Sequence, residues 1–312
     1  MKRISRGLGF IVKMKTATKV AKPEKQEIRY FVDKITIEKA KQLAETHKEK
    51  AFGILHGIAK KLGKKAEIKA VGMIKRYEPF WHIIASFLTE YERKSKYKIY
   101  VDPVVKALEI GKDKFKIAEK QRKQNIVIVD ATDICEIGKK KEMLVDATIE
   151  ARKPEDIKHN SKFEKYLQCE SKKIKEIETL VSKRTQVLDV RLKASFLVRS
   201  ILQAIIYPVD ADKIIKEELS IEKLVLYFRP VYIFEYISYP KGDKRFIFVD
   251  ALTEEVGFAK KLEKKKTSTS FTESTLFEIG GEAISTLIPG GEAAFKLFMH
   301  LKEYRKKKKF RA

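Results

Sequence analysis

Residues 77–110 read YEPFWHIIASFLTEYERKSKYKIYVDPVVKALEI, and residues 228–258 read FRPVYIFEYISYPKGDKRFIFVDALTEEVGF. Each opens aromatic-x-Pro, continues through an aromatic-rich apolar run, and crosses a polar, basic turn. Each then ends a second apolar run on Val-Asp and closes with a short apolar stretch. Pro79 aligns with Pro230, Asp102 with Asp250, and Ile110 with Phe258. Upstream, Ile28–Asp33 (IRYFVD) matches Ile205–Asp210 (IIYPVD), and a helix candidate follows both. The same elements in the same order imply an internal repeat.

In the first copy, Ile37, Ala40, Ala44, Ala51, Ile54, Leu55, Ile58 and Leu62 recur at three-and-four spacing, which predicts a helix from Thr36 to Leu62. Thr36 suits its start and Gly63 its end. Glu67–Arg76, Phe80–Thr89 and Tyr97–Val101 are rich in β-branched and aromatic residues and read as three strands, with Pro79 between two of them, where a missing N–H is tolerated. The second copy predicts a helix over Ala211–Leu219 and strands over Lys223–Phe228, Val231–Ser238 and Arg245–Val249, with a hairpin turn at Lys241-Gly242-Asp243. The expected unit is one helix followed by an antiparallel meander.

The segment Arg245–Val256, RFIFVDALTEEV, is similar to the closing strand of PepSY-type domains, which often finish in Val-Asp-Ala-x-Thr-Gly-x-Val. A Glu of the pair Glu254-Glu255 stands where the family prefers Gly, and the first copy departs further, with Val101-Asp102-Pro103. The resemblance implies a helix paired with a small antiparallel sheet. It also implies a non-catalytic binding or protease-regulatory role, commonly near a membrane or outside the cell, and it supplies no catalytic residues. Val-Asp recurs at Val129-Asp130, Val145-Asp146 and Val249-Asp250, each followed by Ala. A strand-ending Asp that accepts from a backbone N–H two residues on explains this without chemistry.

Between the copies, Ile126–Val129 and a hairpin around Gly138-Lys139 ending at Leu144-Val145 read as extra strands. From Pro154 to Pro208 the chain has no Gly or Pro, and Phe163, Leu167, Ile174, Ile177 and Val181 fall on a heptad-like seam. A long helix over residues 155–204 is expected there, long enough to serve as a homodimer contact. Past Phe258, Ser270 and Glu273 have capping-box spacing. Two helices around Pro289-Gly290-Gly291 would form an apolar hairpin ahead of a polybasic end, docked on the body or lying on an anionic membrane surface. The organisation expected is α+β: a basic arm (1–26), a first helix-plus-antiparallel-meander unit (27–118), a β-hairpin connector (119–154), a long helix (155–204), a second such unit (205–258), and a basic linker, C-terminal helical hairpin and tail (259–312).

The 312 residues carry 68 Lys and Arg against 43 Asp and Glu, a net charge of +25. Residues 1–26 and 259–312 hold +7 each. Like-charged blocks stay solvated and seek polyanions, so nucleic acid is the leading partner, with an anionic membrane surface as the alternative. The nominated contacts are Lys302, Arg305, Lys306, Lys307, Lys308, Lys309 and Arg311 at one end, and Lys2, Arg3 and Arg6 at the other. Trp81, Tyr91, Tyr97 and Tyr232 would stack on bases wherever they are exposed. A composition rich in Lys and Glu also resembles that of thermophiles, for which surface lysine needs no ligand.

Frequent, regularly spaced Ile, Leu, Val and Phe argue against wholesale disorder, and no apolar run approaches a membrane-helix length of about 20 residues. Residues 8–12 are short for a signal peptide core. Cys135 and Cys169 fit no CxxC pattern, which suits a reducing cytoplasm. The five histidines have no metal spacing, and HExxH, GxSxG, GxxxxGK[ST] and GxGxxG are absent. Asp130, Asp133 and Glu136 would approach a Mg²⁺ ion only if folded onto one another, and turn roles are expected instead. No cofactor, metal or catalytic residue is nominated. The function expected is a non-enzymatic, nucleic-acid-associated protein.

Overall fold

The computed structural model describes residues 19–21, 25–53, 67–120, 123–182, 184–207, 209–239, 242–262, 267 and 276–277. Two strands dominate it: β3 (Glu67–Val101) and β9 (Lys213–Tyr239). At about 3.3 Å per residue the 35 residues of β3 span roughly 115 Å. Around them lie β1 (Lys19–Ala21), β2 (Lys25–Phe31), β4 (Ala107–Ile110), β5 (Asp113–Lys120), β6 (Asn125–Asp146), β7 (Ser171–Ile174), β8 (Thr185–Val187), β10 (Asp243–Asp250) and β11 (Val256–Ala259), with two helices, α1 (Ile37–Phe52) and α2 (Ala194–Ile205). All eleven strands join one mixed sheet whose main path runs β11-β10-β9-β3-β6-β5-β4.

This overturns the expected helix-plus-meander units. In the first copy the three expected strands are segments of the single strand β3; in the second the first two fuse into β9, and only Arg245–Val249, within β10, folds back on it as a hairpin. The expected helix Ala211–Leu219 is not formed: from Lys213 it is the beginning of β9, and antiparallel pairing with Phe87–Glu92 carries it, burying Leu219. Gly138-Lys139 is not a turn but the middle of β6, opposite Leu88 and Phe87. The long helix over 155–204 is replaced by 3₁₀ turns (Pro154–Asp156, Ser161–Tyr166, Ile177–Leu180), the short strands β7 and β8, and α2 at the end. Asn160 caps the second turn by accepting from the Lys162 N–H, so the polar residues within the seam start new turns. The expected C-terminal helical hairpin lies outside the described residues, apart from Leu276 and Phe277; the helix expected over 36–62 ends instead at Phe52, capped by Gly53, and residues 54–62 lie outside the described residues. The 241–243 turn is present at Gly242, whose φ of 71° suits glycine.

Proline explains how such long strands persist. β3 pairs with β8 up to Tyr77 and with β6 from Phe80, so Pro79 sits in the gap between two partners, where no N–H is needed. Its carbonyl accepts from the Ala147 N–H at 3.1 Å. Pro230 lies in the matching gap in β9, between β2 and β10, and accepts from Ala251 N–H at 3.1 Å. The correspondence continues: Lys34 and Ile35 N–H donate to Ala251 O, and Arg191 and Leu192 N–H donate to Ala147 O. Asp250 therefore has Asp146 as its structural counterpart, and not Asp102. These matched bonds centre on Glu78 and Arg229, which face each other across β3 and β9.

Three apolar clusters cover the middle of the sheet, where both faces of β3 and β9 are buried. On one face, Leu197, Val198, Ile201, Leu202 and Ile205 of α2 pack on Trp81, Ile83, Val145, Leu224 and Leu226. Side chains of this size each contribute roughly 1.5–3 kcal/mol on burial. Trp81 is fully buried and donates its indole N–H to Leu192 O at 2.8 Å, which ties the sheet to the turn before α2. On the opposite face, Phe80 and Tyr227 stack with Phe31 and Phe163. α1 places Ala40 and Ala44 over Tyr232, Phe234, Tyr236 and Ile247, where their small side chains let the helix approach. β2–α1 thus covers the β9–β10 hairpin, while β8–α2 covers β3 and β6.

Candidate functional site

The ten nominated basic residues, Lys2, Arg3, Arg6, Lys302, Arg305, Lys306–Lys309 and Arg311, lie outside the described residues. Of the aromatics proposed to stack, Trp81, Tyr91 and Tyr232 are buried, and only Tyr97 stands half exposed. The strand-end reading of the aspartates holds for Asp146, which accepts from Thr148 N–H at 2.8 Å, and for Asp250, which accepts from Leu252 N–H at 2.9 Å. Asp102 does the same with Val104 N–H. Asp130 differs, because it lies inside β6.

β9 stops pairing at Glu92, so the last nine residues of β3 continue with β6, and beyond it β5 and β4, as a thin arm. Alternation puts Lys94, Lys96, Lys98 and Tyr100 on one face of it, with their partners Thr132, Asp130, Ile128 and Ile126. Tyr100 is 59% exposed. Lys96 reaches Asp130 at 3.6 Å and Lys98 reaches Glu119 at 3.7 Å, both pairs exposed. A shallow depression of about 390 Å³ lies among Lys94, Ser95, Lys96, Asp130, Ala131 and Thr132. The KSKYK signal was present in the sequence but reads there as a turn, because only pairing with β6 makes it a strand.

The other face of the arm gathers Asp133, which accepts from Ser95 Oγ, from Tyr97 OH at 2.6 Å and from Arg93 Nη2 at 3.0 Å. Those hydroxyl bonds, with the Arg93 guanidinium, lower its pKa to about 2. Asp130 and Glu136 project from the opposite face, so the three acids do not converge. Among the described residues no group of His, Cys, Asp and Glu side chains is placed to hold a metal ion.

At the centre of the sheet, Arg229 bonds Glu78, Asp250 (2.9 Å) and Tyr166 OH (2.7 Å), and Arg76 bonds Glu78 from its own strand. Burial pushes the Glu78 carboxyl up, but Arg229 and Arg76 outweigh it and hold it below the ordinary range. Nearby, Asp33 accepts from Lys75 Nζ at 2.6 Å and from Tyr232 OH at 2.5 Å. His82 is buried, with Nε2 against Glu142 at 2.6 Å; burial and the charge of Lys223 keep its pKa low despite that carboxylate. Each group ties one strand to a neighbouring segment.

No protein-family model matches the chain, and no curated protein or solved structure is significantly similar to it. Among the described residues no helix is long and apolar enough to cross a membrane.

Proposed function

We propose that this protein associates with nucleic acid without reading sequence, the arm of β3 and β6 acting together with the basic termini. The observation that carries this reading is the row Lys94, Lys96, Lys98 and Tyr100 on one open face of β3. Alternate strand residues are about 6.6 Å apart, so the row presents regularly spaced ammonium groups along an extended backbone. Its present ion pairs with Asp130 and Glu119 are exposed, and such pairs contribute about 0–1 kcal/mol, so phosphates displace them readily. The aromatic face of Tyr100 offers a stacking platform at the end of the row. The remaining positive charge, in Lys302, Arg305, Lys306–Lys309, Arg311, Lys2, Arg3 and Arg6, adds attraction that fixes no register. This reading sets the protein in the cytoplasm and gives it no chemistry of its own.

Fluorescence anisotropy with a labelled single-stranded oligonucleotide over a salt series tests the proposal. Log affinity should fall linearly with log salt, and Lys94→Ala/Lys96→Ala/Lys98→Ala should reduce that slope by about 2, at ~0.7 per contact on a single strand. Tyr100→Ala should weaken binding by roughly 1–3 kcal/mol. An absence of binding at low salt, or a slope that the triple variant leaves untouched, overturns the arm as the contact. Cosedimentation with anionic vesicles in place of oligonucleotide binding would redirect the basic ends to a membrane surface.

A further inference from the structure

β3 covers one edge of β6 along the whole of β6's length, but among the described residues the other edge is largely unpaired. β5 pairs only with Asn125–Val127. At the far end, Leu144 turns both backbone groups outward, donating to His159 Nδ1 at 3.2 Å and accepting from Asn160 N–H at 2.8 Å. The β3–β6 register runs without a bulge, so every second residue back from Leu144, from Glu142 to Ile128, also points its N–H and C=O outward. Among the described residues no strand pairs with that stretch. It is an unbulged edge of fifteen residues, roughly 50 Å, of the kind that proteins normally shorten, bulge or cover. Near its middle Ile134 is 82% exposed.

Its charges are ordered. Asp130 and Asp133 lie on the N-terminal side of Cys135, and Lys139, Lys140 and Lys141 on the other, with Glu136 and Glu142 flanking them. A strand with this polarity repels a parallel copy of itself and complements an antiparallel one. We propose that this edge pairs antiparallel with the same edge of a second copy, about a two-fold axis at Cys135. Outward-pointing residues must face outward-pointing residues, which restricts the register to steps of one residue in the axis position. With the axis at Cys135, Asp130 faces Lys140 of the second copy, twice by symmetry, and the two Ile134 side chains become diagonal neighbours. Moving the axis to Glu136 sets Glu136 against Glu136 and Asp130 against Glu142. Moving it to Ile134 removes both ion pairs.

The interface is isologous and closed, so it caps the edge and does not propagate a fibre. It merges two sheets into one and puts both rows of Lys94, Lys96 and Lys98 on the same face. The inference does not depend on nucleic-acid binding.

At the axis the two Cys135 form a non-hydrogen-bonded pair, whose Cα atoms lie about 4.5 Å apart, within disulfide reach. The full chain with Cys169→Ser, oxidised with copper phenanthroline, should give a disulfide dimer, and Cys135→Ser should abolish it. Sedimentation velocity should show the reduced protein as a dimer. Lys140→Asp should weaken it by on the order of tenfold, and Asp130→Lys/Lys140→Asp should restore it. Glu136→Pro removes one outward N–H without touching the β3 ladder, so it should yield a monomer with an unchanged circular dichroism spectrum. A reduced protein that stays monomeric up to its solubility limit overturns the proposal, as when this chain's own ends cover the edge. A dimer that does not cross-link through Cys135 also overturns it.

Discussion

Asp250→Asn and Asp146→Asn remove the same charge from structurally matched strand ends, yet they should differ widely in cost. Asp250 is nearly buried and accepts four bonds: from Leu252 and Thr253 N–H on Oδ1, and from Tyr166 OH and Arg229 Nη1 on Oδ2. Asparagine preserves the Oδ1 side. On the other side it points an NH₂ at the Arg229 donor and leaves Arg76 and Arg229 balanced by Glu78 alone. Breaking one partner of a buried charge network costs about 3–5 kcal/mol. Asp146 makes only the turn, bonding Thr148 N–H and Oγ1 through Oδ1, and its loss should cost ~1 kcal/mol or less. Urea unfolding followed by tryptophan fluorescence reads the difference, since Trp81 lies in the buried centre. At an m-value of about 2–3 kcal/mol/M, the midpoint of Asp250→Asn should fall about 1 M further than that of Asp146→Asn. Equal midpoints would refute the argument that the Arg229 network, and not the turn, is what Asp250 supports.

Leu197→Ala, which empties the centre of the α2 contact, should destabilise by about 2–5 kcal/mol, whereas Val104→Ala at an 82% exposed site should stay within about 0.5 kcal/mol. Burial, reinforced by the carboxylates Asp250, Asp33 and Glu45, raises the pKa values of Tyr166, Tyr232 and Tyr236 above the ordinary phenol value. The unfolded chain therefore loses these protons first. Stability should be intact below about pH 10 and fall as pH rises above it, with the three phenols appearing in ultraviolet titration only as the protein unfolds.

Local features were legible where the physics is local. The Gly242 turn, the Asp146 and Asp250 turns, the Thr36 cap and the tolerance of Pro79 follow from φ preferences and short-range hydrogen bonds. The path of the chain was not legible. Phe80–Thr89 and Tyr97–Val101 were recognisable as strand, but RKSK (93–96) between them reads as a polar turn without the partner that overrides it. Ala211–Leu219 has helical composition, and its residues become strand because β3 offers it a ladder. The seam from Phe163 to Val181 has heptad spacing with no second helix to receive it. Phe163 instead stacks on Phe80, and Val181 stays partly exposed.

The chain alone thus determined its charge, its strand-forming segments and the punctuation at its turns, because these depend on side-chain chemistry and neighbours a few residues away. Tertiary structure decided which segments fuse into 35- and 27-residue strands, which lysines share a face, and which edge of β6 β3 covers. Pairing between residues tens of positions apart, as with Lys94 and Thr132, or more than a hundred apart, as with Glu78 and Arg229, supplies those answers, and no local pattern encodes the partner.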